Sequence, residues 1–135
     1  PFSRDALTEK VWLRLEDRRR QVLARAQSLS AASDFARLAQ DETLRLSIVS
    51  LAAAFLSKVS SSSRQADPVA RFHLHTGARP ERINDQADLS VKGLKQSLGV
   101  MVNYLYDLST IEENHDRFLR GETACSKSVA DLINR

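Results

Sequence analysis

Along the first 29 residues the apolar positions Val11, Leu15, Val22, Ala26 and Leu29 recur at three-, four- and seven-residue spacing, which draws one stripe down a helix expected over about residues 5–29. Arg14, Asp17, Arg18 and Arg25 read as its opposite, solvated side. The triplet Arg18-Arg19-Arg20 belongs to that side, with contact to phosphate or an acidic partner as the alternative. The polar stretch SLSAASD breaks the pattern, and Ser33 or Asp34 is placed to cap a second helix by accepting from the free amides of its first turn. Two stripes run through that helix: Phe35, Leu38, Val49, Ala53 and Leu56, and Leu44, Ile48, Leu51 and Phe55. Between 44 and 56 it is therefore apolar almost all round. Such a helix must be covered on more than one side, so it is expected to be central and to pack on something besides the first helix.

The run VSSSSRQAD over 59–67 ends this periodicity, and Pro68 biases Asp67 away from helix. It is the best internal boundary, dividing a helical segment, 1–59, from a C-terminal α+β segment, 60–135. Beyond it the period switches to two. Over 69–75 a strand is expected, with Ala70, Phe72 and Leu74 on one face and Val69, Arg71, His73 and His75 on the other. HTGA supplies a turn at Gly77, and RPERIN returns as the partner strand, with Pro80 confined to an edge or irregular position. A short helix is expected at SVKGLKQS, then a strand in GVMVNYLYDL whose Val100, Val102, Tyr104 and Tyr106 share a face. Ser109-Thr110-Ile111-Glu112 has the form of a capping box, opening a helix to about Leu119 that Gly121 ends; a last helix covers about 124–134. The expected class is α+β: an N-terminal helical hairpin followed by a small mixed sheet with helices.

A chain of 135 residues can bury one domain core. Its net charge is only +3, despite an isoelectric point near 9.4, and Lys and Arg alternate with Asp and Glu, so no electropositive stripe marks a nucleic-acid partner. The longest apolar run, LAAAFL at 51–56, is far below the ~20 residues of a membrane span. PFSRDALTEK has no apolar signal-peptide region, and LINR is not a Ser-Lys-Leu peroxisomal address. The single Cys125 cannot form an internal disulfide and reads as a small core or surface residue. A cytoplasmic, bacterial setting is expected.

The candidate chemistry centres on His73. On a strand it would face away from Phe72 and Leu74, towards water, a pocket or another layer. Three readings stand side by side: a strand histidine with a structural hydrogen bond; a metal ligand with His75, requiring a third group such as EENHD at 112–116; and a proton-transfer residue, for which imidazole titrates in the right range.

DPVARFHL, the Gly77-Ala78 pair, ERIN, the Ala87-Asp88 pair, KGL and GVMVNYLYDL together resemble, at fixed spacing over about forty residues, the C-terminal part of the malonyl-CoA decarboxylase family. The resemblance implies a catalytic domain of the acetyltransferase (GNAT) type that cradles acyl-CoA, conversion of malonyl-CoA to acetyl-CoA and carbon dioxide, and no metal or organic cofactor. The histidine of the FHL motif, His73 here, is implied to be catalytic and to contact substrate. His75 has no counterpart and no role is carried over to it. Decarboxylation leaves an enolate, so a donor at the thioester oxygen is wanted, comparable single donors being worth ~3–4 kcal/mol in acyl transfer. The carbon must then be protonated, which His73 can do. Arg71 would hold pantetheine phosphates or be solvated, and Tyr106 would offer its hydroxyl to the pocket or pack in the core with the hydroxyl at its rim.

Departures from the family pattern are also readable. The family's catalytic serine lies in an upstream Ser-Pro-x-Pro-Gly-Phe-like segment that does not occur here; Ser3, Ser28, Ser30 and Ser33 do not match it, and PFSRD is at best a remnant. Asp85 stands where the family has tryptophan, and SSSS replaces a basic, glycine-containing loop. The chain is expected to be a C-terminal portion of a decarboxylase that lacks the catalytic serine, with the rest of the enzyme or further copies of itself as partners. The alternative is a truncated, inactive copy acting as a helical interaction module.

Overall fold

The computed structural model describes residues 9–27, 37, 40–57 and 67–134. Helix α1 spans Glu9–Gln27 and α2 spans Glu42–Ser57. Leu15 of α1 is fully buried, in a core cluster with Val49, Ala53, Ala54 and Leu56 of α2. Arg14 and Arg18 do not lie on a solvated back as expected. At roughly 100° per residue Arg18 sits only about 60° from Leu15 and Arg14 about 100°, so both flank the stripe. Arg18 donates to Ser50 Oγ at 2.6 Å and Arg14 to the Ile133 carbonyl at 3.0 Å. Desolvation, with the neighbouring Arg14 charge, lowers the Arg18 pKa.

The caps expected at Ser33 or Asp34 lie outside the described residues. Helix α2 starts afresh after a turn at Gln40, capped by Asp41, whose carboxylate accepts from Leu44 N at 3.1 Å. As its all-round apolarity predicts, α2 is central and packs on α1 and on two later elements. One is helix α6, Lys127–Ile133, which adds buried Val129 and Ile133; the other is strand β1, Arg79–Asn84, which adds Ile83. The core thus draws on both sides of the serine run.

The segment expected as a strand over 69–75 is instead helix α3, Pro68–His75. Asp67 caps it, accepting from Val69 N at 3.0 Å while keeping an extended backbone (φ −58°, ψ 124°), and Pro68 takes the first turn, where its missing N–H costs nothing. Ala70 and Leu74, one turn apart, are buried, whereas Phe72 is 63% exposed. Both periods fit so short a run; Asp-Pro as cap plus first turn was the deciding signal. The helix ends as the glycine predicts: Gly77 has φ +94°, with Gly77 N bonded to the Leu74 carbonyl and Ala78 N to the His73 carbonyl.

Strand β1 consequently pairs with β2, Met101–Leu105, and not with 69–75. The two form an antiparallel two-stranded sheet, Ile83 opposite Val102 and Pro80 opposite Tyr104, with an irregularity at Glu81. Helix α4, Val91–Ser97, lies in the connection, as expected. Helix α5, Ile111–Leu119, follows β2, but the anticipated capping box does not form: Thr110 occupies the cap, and its side chain makes no capping bond to the first-turn amides. Asp107 organises the turn instead, accepting from Ser109 N, Ser109 Oγ, Thr110 N and Ile111 N. Those Ser109 bonds hold the Asp107 carboxyl below the usual carboxylate range. Gly121, φ +82°, ends α5 as read from the sequence. The class is α+β, with the sheet antiparallel rather than mixed. No helix among the described residues is long and apolar enough to cross a membrane.

Candidate functional site

Helix α3 and the end of β2 meet at His73. Its Nδ1 lies 2.7 Å from the Tyr106 hydroxyl, 33 residues away, and its ring stacks on Tyr104 with centroids 4.3 Å apart and planes 15° from parallel. The shared face of Val100, Val102, Tyr104 and Tyr106 expected from alternation delivers both tyrosines to this point, the outward positions Met101, Asn103 and Leu105 being exposed. Thr76, the capping residue of α3, completes the cluster with Oγ1 2.9 Å from the Tyr106 hydroxyl. His73, Glu81, Asn103, Tyr104 and Tyr106 are among the residues lining an open pocket of about 500 Å³.

Of the three readings of His73, the strand-borne pair of imidazoles pointing one way is not formed. On a helix, residues two apart point about 200° apart. His75 turns to the opposite side, edge-on to His115 at 5.0 Å and to Phe118 at 6.0 Å, while His115 Nδ1 bonds to the His75 carbonyl. The segment proposed to supply a third ligand thus approaches His75 and not His73. Among the described residues no group of three His, Cys, Asp or Glu side chains is placed to hold a metal ion. Arg71, expected to share a face with His73, is parted from it by the same rotation and is exposed. Tyr106 is among the residues lining the pocket, and its hydroxyl meets His73 Nδ1 and Thr76 Oγ1.

Sequence reasoning missed Thr76 and the stacking role of Tyr104. A helical reading of 68–75 would have placed Thr76 one turn below Phe72 and His73, at the cap. Asp85 forms an ion pair with Arg45 at 2.8 Å and so ties the turn after β1 to α2. Cys125 packs against the main core.

Burial pushes the Tyr104 hydroxyl up to about 12, with the Asp67 and Tyr106 charges acting in the same direction. The folded state therefore holds this proton more tightly than the unfolded chain, which releases it near the ordinary value of about 10. The stability this confers is complete below about pH 10 and is lost as pH rises towards 12. Ultraviolet titration of the two tyrosines is expected to show one phenolate step delayed to about 12. A phenolate signal complete by about pH 11 would mean Tyr104 is open to water.

The structure defines an α+β protein in which a helix and a two-stranded antiparallel sheet bring His73 and Tyr106 together beside an open pocket. The family model described as the malonyl-CoA decarboxylase C-terminal domain matches residues 3–135. The chain belongs to the malonyl-CoA decarboxylase family. It is 43% identical over 68 residues, half of this chain, to mitochondrial malonyl-CoA decarboxylase of Rattus norvegicus. Among solved structures, the malonyl-CoA decarboxylase of Cupriavidus metallidurans is 38% identical with a TM-score of 0.67 over 83% of this chain, and that of Rhodopseudomonas palustris 39% identical with a TM-score of 0.63 over 84%. The aligned part covers 14% of the rat protein, 31% of the Cupriavidus chain and 26% of the Rhodopseudomonas chain, so this chain matches only a portion of each.

Proposed function

We propose that this chain serves the decarboxylation of malonyl-CoA to acetyl-CoA and carbon dioxide, contributing His73 and Tyr106 to the site. The observation that carries the reading is the 2.7 Å bond between His73 Nδ1 and the Tyr106 hydroxyl at the edge of a pocket, within the segment that matches the family. Breaking the bond from the α-carbon to the carboxylate sends its electron pair towards the thioester carbonyl, giving an enolate. Hydroxyl and imidazole donors are the groups that stabilise charge on that oxygen. The carbon then takes a proton, which His73 supplies, and no electron transfer is involved. In this reading residues 60–135 are the C-terminal segment of an acetyltransferase-like catalytic domain, and 1–59 a helical segment that shares its core. The partners are malonyl-CoA and either the remaining portion of the enzyme or further copies of this chain, in a cytoplasmic setting.

The reading of the chain as an inactive interaction module drew on the missing upstream serine segment and on the need to cover residues 44–56. That cover comes largely from α1, α6 and β1 within the chain, which leaves the missing serine segment as its ground. Calorimetry with malonyl-CoA, followed in the same sample by an acetyl-CoA assay, tests the proposal. Binding is the expected result, with turnover once the remaining portion of the enzyme supplies the missing serine. A folded chain that neither binds nor turns over malonyl-CoA would make the inactive reading the correct one.

A further inference from the structure

We propose that Thr76 is a positioning residue that sets, through the Tyr106 hydroxyl, which ring nitrogen of His73 carries the proton. The inference rests on the reading of His73 as the proton-transfer residue and specifies the atom through which it works.

Three groups lie in a chain, each with a limited supply of protons. Thr76 Oγ1 is 2.9 Å from the Phe72 carbonyl and 3.0 Å from the His73 carbonyl, and both of these only accept. The single threonine proton goes to them, as is usual for a hydroxyl one turn after its carbonyl partner in a helix. Towards Tyr106, 2.9 Å away, Thr76 then presents a lone pair, and the single phenolic proton points at Thr76. The tyrosine oxygen is left as an acceptor for His73 Nδ1 at 2.7 Å, so in the neutral ring the proton sits on Nδ1.

The reverse wiring, Thr76 to Tyr106 to a bare Nδ1, makes two hydrogen bonds where the first makes three. Without Thr76 the phenolic proton would be released, and a hydroxyl 2.7 Å from an imidazole nitrogen would donate to it. Thr76 is thus the residue that turns Tyr106 from donor to acceptor.

The chemical consequence falls on Nε2, which has no hydrogen-bond partner among the described residues. With Nδ1–H held by Tyr106, every proton exchanged with substrate passes through Nε2. The imidazolium gives its Nε2 proton to the enolate carbon and returns to the neutral Nδ1–H ring, so one proton leaves the histidine and one C–H bond forms. The other tautomer would leave a hydrogen on Nε2 in the neutral ring and no site there to be reloaded.

Long-range proton–nitrogen correlation NMR on the isotope-labelled chain at alkaline pH distinguishes the two tautomers directly and requires no turnover, so its outcome is separate from that of the decarboxylation assay. The His73 pattern is identified by its disappearance in His73→Gln. The expected result is an Nδ1–H pattern for His73, retained in Thr76→Ser and shifted towards Nε2–H in Thr76→Val, with the tautomer ratio changing about fivefold, the weight of one ordinary hydrogen bond. An Nε2–H pattern in the parent chain, or a ratio unmoved by Thr76→Val in a folded sample, overturns the proposal. Should Thr76→Val fail to fold, the parent pattern alone decides it.

Discussion

Replacing His73 by alanine is expected to lower malonyl-CoA decarboxylation about 10²–10⁴-fold in kcat while leaving the chain folded. The rate loss follows from removal of the proton donor that the enolate carbon needs. The fold should survive because His73 is only half-buried; what the core loses is its stacking on Tyr104, on the order of 0.5–1.5 kcal/mol. Glutamine at the same position is the more searching variant. It keeps an amide donor for the thioester oxygen but cannot deliver a proton, so it should recover binding and not rate. Steady-state kinetics beside thermal unfolding separate the two effects. Turnover at the parental rate by a folded His73→Ala variant would show that the proton comes from elsewhere.

Replacing Gly77 by alanine should cost about 2–4 kcal/mol of stability, measured as a fall in the denaturant midpoint. Two effects add. At φ +94° an L side chain is strained, and a Cβ built there would lie 2.6 Å from the Ile111 carbonyl oxygen and 2.9 Å from Ile111 Cγ2. The first contact is to backbone, so it can be relieved only by moving the first turn of α5. That turn is held in place from the other side, since Asn114, itself buried, donates to the Gly77 carbonyl at 3.1 Å. Gly121 supplies the control. Its φ of +82° carries the same kind of strain, but a Cβ there meets nothing within 4 Å, so Gly121→Ala should cost only about 1 kcal/mol. Equal losses in the two variants would mean that the close approach to α5 is not why Gly77 is needed. The approach bears on the site, because Gly77 follows Thr76 directly and α5 fixes where the end of α3 sits.

Much of the architecture was legible because it follows from local patterns. The all-round apolarity of residues 44–56 requires a central helix, Gly121 stops a helix, and Gly77 makes a turn, because glycine takes positive φ without strain. Alternation from Val100 to Tyr106 places two tyrosines on one face irrespective of what that face meets. The misreadings came where two local patterns were compatible with the same residues. An apolar spacing of Ala70, Phe72 and Leu74 fits a strand, yet Ala70 and Leu74 alone fit one turn of helix, and exposure of Phe72 selects the latter. Ser109-Thr110-Ile111-Glu112 has the form of a capping box, but Asp107 takes the Ser109 amide that the box would use, together with those of Thr110 and Ile111.

By itself the sequence determined the family, the α+β class, the central helix and the identity of His73 and Tyr106 as residues worth attention, since each of these depends on composition, spacing or a match along the chain. Only the tertiary structure decided that α3 is a helix, that β1 pairs with β2, that Arg14 and Arg18 bond inward, and that His73 faces Tyr104, Tyr106 and Thr76 while His75 faces His115. The physical reason is the same throughout. Residues 33 positions apart meet because a helix, a turn and a hairpin reverse the chain by particular amounts, and a two-residue step reverses its meaning when the period is 3.6 instead of two.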